Sequence, residues 1–92
     1  MALFTTDYDS QIWARVILPQ APTMSRAAAE AILRFDFQES DHQRMSELVA
    51  KARAGTMTTE EAAEAAGYGR VSSILGYLKS KARVSLRSAA DE

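Results

Sequence analysis

His42 is the chain's one histidine, and it stands beside Asp41 with Glu39 close by. An imidazole among carboxylates has the donor types for a metal ion or for proton transfer. The positions one helical turn onward are Met45 and Ser46, which supply no second strong ligand. His42 is therefore read as an exposed residue at a helix start. Glu60, Glu61 and Glu64 have the types for a carboxylate pair or a cation site, but capping and compensation of a helix dipole already account for them. The chain has no cysteine, which removes thiolate metal sites, disulfides and thiol nucleophiles. No glycine-rich phosphate loop, nucleophile elbow or His–Cys arrangement occurs. No catalytic residue, metal ligand or cofactor site is assigned, and the chain is read as a non-enzyme.

The remaining chemistry is charge. The net charge of −1 conceals five basic residues and no acidic one in "YGRVSSILGYLKSKARVSLR", Tyr68 to Arg87. At 100° per residue, Lys79, Arg83 and Arg87 form one row, while Arg70 and Lys81 fall on the other flank of an apolar face. Phosphate tracking by one helix wants clustered charge, so this split weakens a nucleic-acid reading. Between the flanks, Ser72, Gly76 and Ser80 are spaced four apart, small enough for a second helix backbone to come close. A docking groove for another protein or another copy follows, with Lys79, Arg83 and Arg87 meeting acidic groups beside it. The plainer alternative is an ordinary solvated face. Trp13, with Tyr8 and Phe4, gives the N-terminal segment aromatic surface that either packs over the other helices, the favoured reading, or anchors a partner.

These residues need elements to hold them. Ninety-two residues suit one small domain, which buries only roughly 60–65% of its unfolded surface. Most of the chain must therefore pack together, or a partner must add burial. No apolar run approaches the ~20 residues of a membrane span, and "MALFTTDYDSQ" lacks the basic start and apolar core of a secretion signal. A cytoplasmic location and no membrane partner are expected.

Ile12/Val16 and Trp13/Ile17 recur at helical spacing after possible caps at Thr6 and Asp7, so residues 1–22 form an arm with a short helix ended by Pro19 and Pro22. Residues 23–92 form a helical domain continuous with it. A second helix is capped at Thr23 or Ser25, with Met24, Ala28, Ala31 and Phe35 on one face. Ser40 and Gln43 make a capping box for a third, whose Met45, Leu48, Val49 and Ala52 form an apolar stripe ended by Gly55. Thr58 and Glu61 make another box for the last helix, where Val71, Leu75, Leu78, Ala82 and Leu86 line up. The two stripes predict an antiparallel helical hairpin, in an all-α fold covered by one or two N-terminal helices. Whether Gly67 and Gly69 break the last helix stays open.

A helix-turn-helix can be laid on "TTEEAAEAAGYGRVSSILGYL" with Ala63 four residues before a turn at Gly67. The apolar residue expected six places after the glycine is Ser73, however, with Ile74 one place late. A small DNA-binding regulator, antitoxin-like or with a degenerate helix-turn-helix, is thus the alternative to a protein-interaction module.

About two-thirds of the chain resembles a family of small, largely uncharacterised bacterial proteins. The resemblance rests on Phe37, Asp41, Arg44, Met45 and Leu48; on Gly55, Thr56, Thr58, Glu60 and Glu61; on Tyr68, Arg70 and Val71; and on Lys81, Ala82, Arg83, Ser85 and Leu86. It implies an accessory protein beside a larger enzyme such as a nuclease, with the basic residues of the Lys81–Leu86 ending serving a partner. The chain departs from the pattern over Ala62–Gly69, where the family is more charged and lacks the two glycines.

Overall fold

In the computed structural model, which describes residues 8–90, the chain is all-α with no strand among those residues. Its helices are α1 (Tyr8–Ile17), α2 (Arg26–Leu33), α3 (Glu39–Ala54) and α4 (Thr59–Ala90). The caps expected at Thr6 and Asp7, and Phe4, lie outside the described residues.

Local chemistry explains where the chain turns. Leu18 closes the last turn of α1 on the Ala14 carbonyl, and Pro19 and Pro22 hold the connector out of helix. Ser25 starts α2, its hydroxyl accepting from the Ala28 N–H at 3.2 Å. Gly55 ends α3 in the left-handed conformation, φ 72°, as expected. Thr58 and Glu61 form the reciprocal box at the start of α4, each bond 3.0 Å long. The box expected at Ser40 does not form. Gln38 takes the N-cap position without a side-chain bond, so α3 begins before Ser40.

α4 is the spine. Thirty-two residues give a helix about 48 Å long, nearly the molecule's 52 Å longest dimension. It passes Gly67 and Gly69 without interruption. Among the described residues, α1, α2 and α3 each pack against α4 and not against one another. The Met24 N–H donates to the Ser85 hydroxyl at 3.1 Å, and the Phe37 ring meets the Tyr68 ring edge-on. The chain therefore descends α4 as it advances, with α2 antiparallel beside the C-terminal part and α3 antiparallel beside the N-terminal part.

This arrangement confirms the α3–α4 hairpin but redistributes its contacts. A 16-residue helix reaches about 24 Å, half of α4. α3 is tied to Glu61, Glu64 and Tyr68, near buried Ala65. The expected Val71–Leu86 row does not face α3 as one unit. Val71 is exposed, and Ala82 and Ser85 are buried where α2 and α1 dock. The face of α2 also differs from expectation. Ala29 is the buried residue, while Ala28 and Phe35 are exposed. A run of alanines carries no periodicity to fix its phase, so the fit against α4 decides it.

Candidate functional site

α1 buries one side and leaves the other in water. Ser10, Ala14 and Ile17 follow i, i+4, i+7 spacing; Ser10 and Ile17 are buried and Ala14 half-buried. The Lys81 ammonium donates to the Ile17 carbonyl at 2.6 Å, a cation placed at the negative end of the α1 dipole. Lys81 thereby holds the fold together and is not part of an outward basic patch.

On the opposite side, Tyr8, Ile12 and Val16 stand four apart and are 81%, 48% and 65% exposed. Trp13 (45%) lies three residues after Ser10 and four before Ile17, at the edge of the packed side, and Leu18 (55%) follows Ala14 by four. Of the two described aromatics of this segment, Tyr8 is turned outward and Trp13 is about half covered, while α1 packs on α4 mainly through its small and aliphatic residues. Leu18 adds a second feature. Its φ is +55°, the only left-handed non-glycine among the described residues. That conformation costs a branched residue roughly 1–2 kcal/mol, which burial does not return, because the side chain is exposed. Leu18 also lines an open hollow with Ala14, Arg15, Pro19, Gln20 and Ala21.

The residues singled out on α4 are distributed unevenly. Ser72 and Gly76 are exposed, and no atom lies within 4 Å of where a Gly76 Cβ would sit. Ser72 also borders a hollow of about 450 Å³ with His42, Met45, Ser46 and Val49, at the edge of the hairpin. Ser80 and Lys79 are half-buried, and Lys79 is near enough to Asp36 to stabilise its charged form. Arg83 and Arg87 are exposed. The cations of this row are thus not equivalent.

No protein-family model, curated protein or solved structure matches this chain. Its chemistry is therefore weighed from geometry alone.

The titratable residues of the hairpin are engaged with one another. Arg44 of α3 donates to Glu64 at 2.8 and 2.9 Å, to Glu47 at 3.0 Å and to Glu61 at 3.3 Å, and Lys51 lies 3.2 Å from Glu61. The Thr58 N–H, followed by Lys51, pulls the Glu61 carboxyl down to about 2. Hydrogen bonds from Arg44 lower Glu64 likewise, and bonds to Glu64 and Glu47 raise Arg44 itself. The Tyr68 hydroxyl donates to Asp41 at 2.7 Å, which raises the Tyr68 pKa. His42 sits 3.4 Å from Asp36 and edge-on to Phe37. The Phe37 N–H, more than His42, holds Asp36 below its usual value. Among the described residues no group of three or more His, Cys, Asp or Glu is placed to hold a metal.

Sequence reasoning missed Arg44 as the hub of this network. A signal was present: three glutamates open α4, and Arg44 lies across a short turn from them. The glutamates cap and compensate α4 as expected, and they also fasten α3 to it. The helix-turn-helix alignment fails, because its turn glycine lies inside continuous α4.

Proposed function

We propose that this protein is a non-enzymatic helical interaction module that docks on another protein or on its own copies through the outer face of α1. The basic row of α4 is proposed as a second contact surface. One observation carries the reading: Tyr8, Ile12 and Val16 form an exposed apolar row along α1 on a chain that buries few large side chains. Its surface of 6276 Å² exceeds the about 5,300 Å² that a compact 10.1 kDa chain exposes. Its radius of gyration of 15.7 Å exceeds the about 12 Å of a compact domain this long. Large apolar faces of this sort mark association surfaces.

No helix among the described residues is long and apolar enough to cross a membrane. Charge reversal tests that second surface: Lys79→Glu with Arg83→Glu should weaken association while circular dichroism keeps its helical signal. Unchanged binding would remove the α4 row from the surface. Salt-sensitive retention of the isolated protein on duplex DNA would favour the regulator reading instead.

A further inference from the structure

We infer that α1 is a strap that lifts off α4 as one unit, pivoting between Leu18 and Pro22, with Lys81 as its latch. Little holds α1 down. Of its described residues only Ser10 and Ile17 are buried, and Ile17 is the one large side chain of that pair. By contrast, α3 is fastened to α4 by Arg44, Lys51 and Asp41 through bonds to Glu61, Glu64 and Tyr68. Among the described residues α1 packs on α4 and on no other helix, so lifting it leaves α2 and α3 in place. Segments with few buried apolar contacts open by themselves, ahead of the rest of a fold.

The joint favours the motion. Leu18 holds φ +55°, a conformation unfavourable to a branched side chain. Strain of this kind persists only while the surroundings impose it, and it collects at switch regions. Here the docked helix imposes it: the Leu18 N–H still closes on the Ala14 carbonyl while the chain must already turn back to bring Met24 to Ser85. Lifting lets Leu18 relax. Pro19 and Pro22 offer no N–H to tie the connector down. A hollow of about 510 Å³ beside the joint is lined by Ala14, Arg15, Leu18, Pro19, Gln20 and Ala21. All six belong to the end of α1 or to the connector, so no other helix packs into the pivot. The latch opposes these effects. The half-buried Lys81 side chain brings its ammonium to the Ile17 carbonyl at 2.6 Å, at the negative end of the α1 dipole and one residue before the pivot. Opening frees that cation and uncovers Ile17, so the strap controls what α4 presents at Lys81.

Amide hydrogen exchange of the full chain tests this without any partner, so its result is separate from the docking reading of α1. The N–H groups of Ile12 to Leu18 should share one protection factor, roughly tenfold or more below that around Leu48 in α3 and Ala65 in α4. Lys81→Met keeps the bulk of the side chain and removes its charge. It should lower protection in α1 roughly tenfold and leave α3 and α4 unchanged. Should that variant lose its helicity, Leu18→Gly serves instead, because it removes the strain from the docked state; protection in α1 should then rise roughly fivefold. Amides of α1 as protected as those around Ala65 overturn the strap. Protection that climbs steadily from Ile12 to Leu18 describes a fraying chain end and overturns the pivot. An α1 that exchanges identically in Lys81→Met overturns the latch.

Discussion

Leu18 and Glu61 show how single side chains set measurable properties. Replacing Leu18 by glycine removes the left-handed strain, φ +55°, and should stabilise the dilute single chain by about 1 kcal/mol, read from a urea midpoint at low protein concentration. Glu61 sets the acid limb. Its folded pKa of about 2 lies below its ordinary 4.5, so it contributes stability fully above that ordinary value and loses it as pH falls toward 2. The urea midpoint should therefore drop between about pH 5 and pH 2. Glu61→Gln should flatten that drop while keeping the Thr58 box, because glutamine also accepts the cap N–H. At this scale much was legible. The Thr58–Glu61 pair and the Gly55 cap were visible because each spans one turn. The Arg44 hub was not, since Arg44 and Glu64 are 20 positions apart and no local rule chooses between Arg44 and Lys51 as partner.

Helices α3 and α4 look alike in sequence at their starts, with a hydroxyl residue followed three places on by Gln or Glu, yet only α4 uses the box. Thr58→Ala should cost about 1 kcal/mol, whereas Ser40→Ala should stay within about 0.5 kcal/mol, since α3 already begins at Glu39. Comparing the two thermal midpoints checks this. The reason lies in the neighbours: Phe37 is pinned against Tyr68 and His42, which brings the start of α3 forward to Gln38. α4 raises a separate point. Gly76 is helical, exposed and open around its missing Cβ, so Gly76→Ala should stabilise the helix by about 1 kcal/mol. If the same substitution weakens association, the small-residue groove is part of the contact; unchanged association confines the contact to α1.

The whole molecule is a long helix with three shorter ones along it, and the lack of contacts among those three keeps it elongated. Its thermal midpoint should accordingly rise when a partner covers the α1 row; a midpoint unchanged by binding would describe a chain stable by itself. The sequence alone determined the helices, most of their caps and the all-α class, because capping pairs, proline breaks and apolar spacing act within a few residues. Tertiary structure alone decided which side of α1 and α2 faces inward, how far α3 reaches along α4, and that Lys81 turns to the Ile17 carbonyl. Those choices depend on contacts such as Met24 with Ser85, 61 positions apart, where packing over the whole length of α4 outweighs the weak periodicity of short, alanine-rich helices.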